Sequence, residues 1–307
     1  MKRMGLWFRL LLVLLLAIVA AGCGGGQPKE KIVYMTHNGK AVFGSIIQQE
    51  FDKIAKKNQH PVEYLDAQGD AARQIEQLEK AVQDGAKCIV LLAVDEEKIV
   101  PAAEKAAAAG VRIVAVNRHL RTDKISGVYP DEYGAGKLQA EYMEKNLPAG
   151  AHVFYLQGTA VQLSSQKRWE GFRDRCLEKR PDIVLMDSRD GGYSREQGRR
   201  ITEEWLAAYD QIDAVVCGND EMALGALAAL KEAHRARSCM ISGIDATEEA
   251  LAAIAAGDMR QTIKQDAIRQ ANGAYQMVSD PNRASERKTI LISFLPVTKD
   301  NLAQFRK

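Results

Sequence analysis

Short apolar runs alternate along the chain with longer stretches whose apolar residues recur every three or four positions, starting at Lys31. Lys31 to Thr36 reads as a strand and Val42 to Lys56 as a helix. Val62 to Leu65 is a strand, followed by a helix from Asp70 to Asp84 with Gly85 at its end. Cys88 to Leu92 is a strand, Glu96 to Ala109 a helix stopped by Gly110, and Arg112 to Val116 a strand. Both glycines stand where a left-handed helix terminus wants them. The pattern restarts near Asp131 with helix Tyr133 to Asn146 and strand Val153 to Leu156. Helix Ser164 to Lys179, strand Ile183 to Met186 and helix Ser194 to Ala208 follow; further on come strand Cys239 to Ile244 and helix Thr247 to Ala256. Nearly continuous apolar strands divided by amphipathic helices predict βαβ units in a parallel sheet covered on both faces. The fold class is α/β, with two doubly wound parallel-sheet lobes. The tail, Thr262 to Lys307, holds a strand, helix Ala267 to Ser279, strand Thr289 to Ser293 and an irregular end. It is too short for a third domain and is expected to complete the first two.

The segment that organises the rest is Ala214 to Leu230. Its first four residues form a buried strand, and Asp220 opens a helix rich in Ala and Leu. Between them Asn219-Asp220 sits at the carboxyl end of a strand, where open α/β sheets gather ligands. Asp220 is expected to cap the helix by accepting from its free amides. Asn219 then faces the crevice, with an amide that both donates and accepts.

Ahead of the alternating pattern the chain has a basic start, an uncharged run of 12 residues from Leu10 to Ala21, and Gly22-Cys23. The run is short of the roughly 20 residues that span a bilayer. The arrangement describes an export signal. Ala20-Ala21-Gly22-Cys23 resembles a bacterial lipobox, which makes Cys23 the expected lipidation site. Removing Met1 to Gly22 turns the formal charge from +2 to −1, because Lys2, Arg3 and Arg9 go with it. A near-neutral chain has no electrostatic footprint for nucleic acid. Cys88, Cys176, Cys217 and Cys239 fit no zinc spacing, and Cys88 and Cys217 sit in apolar runs as small hydrophobes. A disulfide among the four stays open outside the cytoplasm.

No catalytic constellation stands out. The five histidines have no i, i+4 pair for a metal, and neither a phosphate loop nor a Gly-x-Ser-x-Gly elbow is present. Asp245 and Glu221 lie near strand ends, but neither makes an acid–base pair alone. No catalytic residue, metal or cofactor is expected.

Val215 to Ala226, Val-Val-Cys-Gly-Asn-Asp-Glu-Met-Ala-Leu-Gly-Ala, closely resembles the periplasmic-binding-protein type I family, in particular its ribose-binding branch. The likeness extends to Asn117-Arg118, Arg168-Trp169-Glu170-Gly171-Phe172, Gly243-Ile244-Asp245 and Thr262-Ile263-Lys264-Gln265, in the family's order. It implies two lobes joined by crossovers near Asp131, Gln265 and Leu295 that close on a ligand like a hinge. In the family the ligand is usually a monosaccharide handed to a membrane permease. The expected organisation is a signal peptide (1–22), a lipidated linker (23–30), an N-terminal lobe (31–130 plus 266–294) and a C-terminal lobe (131–265 plus 295–307).

The chemistry of the expected site follows from its residues. Arg118 offers a rigid fork of donors to a ring oxygen and its neighbouring hydroxyl, unless a surface salt bridge takes it. Asp245, acceptor-only when ionised, can hold two hydroxyls or cap the helix near Thr247. Asn117 and Gln265 share the donor-and-acceptor logic of Asn219, and Gln265 also lies at an expected hinge. The resemblance puts Phe43 and Tyr193 at two stacking aromatics on opposite lobes; Phe43 could equally belong to its helix's core. Trp169 and Trp205 are expected in the core.

The chain also departs from the ribose branch. Gln166 stands where that branch has an arginine, and Arg168 corresponds to a second, structural one. His37 replaces a serine, Ala41 an asparagine, and Leu92 or Ala93 another asparagine. Ribose is therefore a poor match, and a deoxy or methylated sugar, a cyclitol or a small signalling molecule fits at least as well. The expected role is an extracytoplasmic, lipid-anchored receptor for a small sugar-like ligand, partnered by an ABC permease. The alternative is a sensing subunit docking on a histidine kinase or chemoreceptor. A transcriptional regulator of the related repressor family is disfavoured by the export signal standing where a helix-turn-helix would.

Overall fold

The computed structural model describes residues 29–280 and 288–305; Cys23 and the leader before it lie outside them. The first series runs β1 (Ile32–Thr36), α1 (Val42–Lys57), β2 (Val62–Asp66), α2 (Ala71–Gln83), β3 (Cys88–Leu91), α3 (Val100–Ala108), β4 (Arg112–Val116), β5 (Ser126–Pro130). The second runs α4 (Glu132–Asn146), β6 (His152–Gln157), α5 (Leu163–Phe172), β7 (Val184–Asp190), α6 (Arg195–Ala208), β8 (Ala214–Cys217), α7 (Asp220–Glu232), β9 (Met240–Ile244), α8 (Glu248–Ala256), β10 (Gln261–Lys264). The chain then adds α9 (Ala267–Ser279), β11 (Thr289–Ile292), β12 (Leu295–Thr298) and a 3-10 turn, Leu302–Gln304.

Burial follows each strand's place. β1, β3 and β8 are buried at every residue, as central strands covered on both faces must be, whereas edge strand β2 is only partly covered. The first sheet has the order β11-β5-β4-β3-β1-β2 and is parallel throughout. The second, β12-β10-β9-β8-β6-β7, is parallel except for β12, which runs antiparallel to β10. Apolar layers cover both faces of each sheet. The two sheets are the expected doubly wound α/β lobes.

β7 runs on to Asp190, past the expected end at Met186, and four further elements differ from the sequence pattern. β5 (Ser-Gly-Val-Tyr-Pro) and β12 (Leu-Pro-Val-Thr) carry prolines that mask a strand. Pro296 is tolerated because β12 is an edge strand. α3 starts at Val100 rather than Glu96, because Asp95 Oδ1 gathers the Glu97 and Lys98 amides (3.0 and 2.9 Å) into a turn of its own. α5 gives way at Arg173–Leu177 to a π-helical turn.

The chain passes between the lobes at three places: after β5, after β10, and between β11 and β12. At the first two, an aspartate caps the incoming helix. Asp131 accepts from Gly134 N (3.0 Å) and Asp266 from Arg269 N (2.9 Å). A small cluster of Ala135, Ile244, Ile263 and Phe294 packs beneath these crossings. α4 and α5 cross backbone to backbone. A Cβ on Gly136 would lie 2.0 Å from Arg168 O, and one on Gly171 would lie 2.1 Å from Tyr133 O. Cys88, Cys176, Cys217 and Cys239 are buried and form no disulfide among the described residues, the core role expected of Cys88 and Cys217. Trp205 is buried, and Trp169 packs on Tyr155 and Phe172.

Candidate ligand-binding cleft

A cavity of about 340 Å³ opens between the carboxyl ends of the two sheets, within the range of small-molecule sites. Lobe 1 supplies His37 after β1, Ala41 and Phe43 at the start of α1, and Asn117 and Arg118 after β4. Lobe 2 supplies Ser164 and Arg168 from α5, Tyr193 after β7, Asn219 after β8, Asp245 after β9 and Gln265 after β10. The structure thus brings His37, Phe43, Asn117, Arg118, Tyr193, Asn219, Asp245 and Gln265 to one interlobe gap. A wider chamber of about 740 Å³ adjoins it, lined in part by His37, Glu96, Arg118, Arg121, Gln162 and Tyr193.

Gln166 is not on the cavity wall. Ser164 and Arg168 are four residues apart and share a helix face, which turns Gln166 away. Its amide donates instead to Ala160 O (2.9 Å). Phe43 does both things the sequence left open, lining the cavity and packing against the core around Ile47 and Phe51.

Three of these residues adopt positive φ: Asn117 (68°), Tyr193 (57°) and Asp245 (125°), the last followed by Ala246 at 55°. Each such backbone costs on the order of 1–3 kcal/mol and persists only where the surroundings enforce it. Around Asp245 the enforcement comes from Asp220, and here the expected roles are exchanged. Asn219, not Asp220, caps α7, its Oδ1 accepting from Met222 N (3.0 Å). Asp220 lies fully buried one position further on. It accepts from Thr262 Oγ1 (2.6 Å), Thr247 N (2.8 Å) and Thr247 Oγ1 (3.2 Å), pinning the turn that carries Asp245. Asn219 still reaches the cavity, and its amide donates to Tyr193 O (3.4 Å).

Charge is distributed unevenly. Arg168 pairs with Glu132 (2.5 Å) and donates to Gly218 O (2.6 Å). Burial works against its charge, but Glu132, Tyr193 and Asp245 more than offset this and hold its pKa above the usual value. The Asp245 carboxylate makes no hydrogen bond among the described residues. Burial pushes its pKa well up, with Arg168 opposing. Burial likewise lifts Asp220 to about 6 against its three donors. On the facing wall Arg118 Nη1 donates to Ala93 O (3.1 Å) and Val94 O (2.8 Å), leaving the rest of its fork free. His37 is buried, its Nδ1 lacks a partner, and burial plus Arg118 lowers its pKa to about 3. The ring is therefore neutral at ordinary pH.

At the second crossing Asn117 Nδ2 donates to Gln265 Oε1 (2.8 Å) and Gln270 Oε1 (3.1 Å). Gln270 was not singled out from the sequence, although a glutamine within the Ala267, Ala271, Ala274 stripe of α9 is a visible oddity. Ser164, which meets the Tyr193 hydroxyl (2.9 Å), was missed too. Glu221 is neutralised by Arg195 (3.0 and 2.8 Å), and among the described residues no cluster of three His, Cys, Asp or Glu could hold a metal. The cavity can bind and orient a polar molecule.

The sheets, the three crossings and a polar gap at the strand ends define a class, and the sequence comparison agrees with it. Residues 32–280 match the model of the periplasmic binding protein domain, and the chain belongs to that family. It is 32% identical over 274 residues to a Rhizobium meliloti protein named for rhizopine binding, covering 86% of this chain and 88% of the relative. A xylitol-binding protein of Mycolicibacterium smegmatis is 29% identical over 301 residues, covering 93% and 86%. Among solved structures, an ABC transporter solute-binding protein from Bacillus halodurans with bound myo-inositol superposes with a TM-score of 0.85 at 26% identity, over 92% of this chain and 98% of that one.

Proposed function

We propose that the protein is an extracytoplasmic solute receptor of an ABC importer, held to the membrane by lipidated Cys23, that closes two lobes on a small polyhydroxylated ligand. The observation that carries this reading is the arrangement of the gap. Arg118 donors face it from one lobe, the unpartnered Asp245 carboxylate from the other, and Phe43 and Tyr193 offer rings from both sides. Hydroxyls need such partners, since each one buried unpaired costs about 1–3 kcal/mol. Affinity in the micromolar range needs about −8 kcal/mol net, within reach of several satisfied hydrogen bonds and a stacked ring.

A cyclitol or linear polyol fits better than ribose. Ala41 has no side-chain hydrogen bond to offer, while Leu92 and Ala93 are buried in the core, so the amide contacts of the ribose branch are absent. The relative named for xylitol binding and the neighbour holding myo-inositol support the same choice. The test is a thermal-shift and calorimetric series with myo-inositol, xylitol and ribose. At a hundred times its Kd, a true ligand stabilises the fold by about 2.7 kcal/mol. Myo-inositol or xylitol should raise Tm more than ribose does, and an unchanged Tm with all three and a wider sugar panel overturns the reading. Cys23→Ser should move the protein from the membrane to the soluble fraction.

A further inference from the structure

Helix α5 has no cap of its own. Its N-cap residue, Gln162, makes no side-chain hydrogen bond to the helix, and its first turn holds no acidic residue. In the same lobe α4, α6, α7 and α8 are capped locally by Asp131, Ser194, Asn219 and Thr247. The group that α5 lacks comes from the other lobe. Glu96, in the loop between β3 and α3, accepts from Leu163 N, the first amide of α5 (2.9 Å). The Glu96 side chain is 6% exposed, and its backbone carbonyl is tied down by Arg121 N (3.0 Å). Its second carboxylate oxygen, Oε1, has no hydrogen-bond partner, so the buried group is held in place by the one bond across the gap.

We infer that Glu96 caps helix α5 across the interlobe gap, so that closing the cleft completes the helix that carries Ser164 and Arg168 into the site. Helix N-termini favour an anionic acceptor for geometric and electrostatic reasons alike. Open lobes would leave Leu163 N and its neighbours to water and return Glu96 to solvent. Burial lifts the pKa of Glu96 above its ordinary value, against the opposing pull of the Leu163 amide, Arg118 and Arg121. Glu96 is thus a positioning residue: it acts on the ligand through α5. The inference rests on the two-lobe closure proposed above, but it can be tested without any ligand.

The experiment uses the full chain, in a Cys23→Ser background, with spin labels on Asp84→Cys in lobe 1 and Asp210→Cys in lobe 2, both exposed; the four cysteines among the described residues are buried. Ligand-free protein should show a short-distance population that Glu96→Ala depletes, lowering the closed-to-open ratio roughly five- to tenfold, as loss of a cap implies. Glu96→Gln keeps an acceptor for Leu163 N and should restore the short distance. Gln162→Asp gives α5 a local acceptor for its second and third amides and sets a second carboxylate beside Glu96, whose repulsion should open the lobes like Glu96→Ala while Tm holds or rises. An unchanged distance distribution in Glu96→Ala, or closed lobes in Gln162→Asp, would overturn the inference. With myo-inositol as probe, Glu96→Ala should lose affinity by the same factor. If wild type ignores myo-inositol yet the distances respond, the cap stands and the ligand reading falls.

Discussion

The two walls of the cleft are built differently. On the lobe 2 wall the polar groups hold one another: Arg168 binds Glu132 and Gly218 O, Tyr193 meets Ser164, and Asp220 pins the Asp245 turn. On the lobe 1 wall Arg118 leans on two backbone carbonyls, His37 Nδ1 has no partner, and α1 begins at Ala41 without a side-chain cap. One wall is organised before a ligand arrives; the other has unmet hydrogen-bonding capacity for a ligand to satisfy. Preorganisation lowers the ordering cost of binding, so in the proposed closure lobe 2 engages first and lobe 1 closes over it.

This contrast can be broken most sharply at Arg168. Arg168→Ala leaves Glu132 buried without its counter-charge and should destabilise the protein by about 3–5 kcal/mol. Denaturant unfolding measures this, and adding Glu132→Gln should recover much of the loss. Arg118→Ala on the opposite wall should do the reverse, keeping unfolding cooperative and Tm within a few degrees while calorimetry shows binding weakened by about 2–3 kcal/mol. Asp245→Ala should weaken binding similarly, and unchanged affinity in both variants would remove the cleft from consideration.

The next effect is a pH dependence carried by Asp220 in lobe 2. Asp220 has a folded-state pKa of about 6, above its ordinary 3.8, so the native state holds its proton more tightly. Its contribution to stability is complete below 3.8 and is lost as pH rises through about 6. The Asp220 part should amount to about 3 kcal/mol across that window, read as the difference between the Tm profiles of the native protein and of Asp220→Asn. His37, whose folded pKa of about 3 lies below its ordinary 6.5, pulls the other way across that window, because the unfolded ring takes up a proton that the folded ring refuses. The smallest expected change is at Gly158. A Cβ there would lie 2.0 Å from Cζ of the Tyr193 ring. Gly158→Ala should push the ring into the cavity and cost about 1–2 kcal/mol, read as weaker binding at nearly constant Tm.

Much of the fold was legible because its strands are unbroken apolar runs and Gly85 and Gly110 mark helix ends. β5 and β12 were not, since a proline in a five- or four-residue strand removes the local signal and only pairing in the sheet restores it. Within the site, strand-end position sufficed to gather Asn117, Arg118, Asn219 and Asp245. It could not assign the neighbours Asn219 and Asp220. Both are good caps, and the choice is made by Thr247 and Thr262, 27 and 42 residues away. Gln166 shows the limit of carrying a position over by likeness, because the helical phase of α5 decides which side chains face the gap. Glu96 was hidden for a related reason: its pattern is that of a helix's first turn, and its partner belongs to the other lobe.

The amide trio Asn117, Gln265 and Gln270 has a consequence for how such a receptor meets changing surroundings. Amides carry no net charge, so neither brine nor acid alters their grip in the way it alters a carboxylate's. In the proposed closure the pivot should keep its stiffness from fresh water to seawater, leaving the Glu96 strap as the part that feels the weather outside.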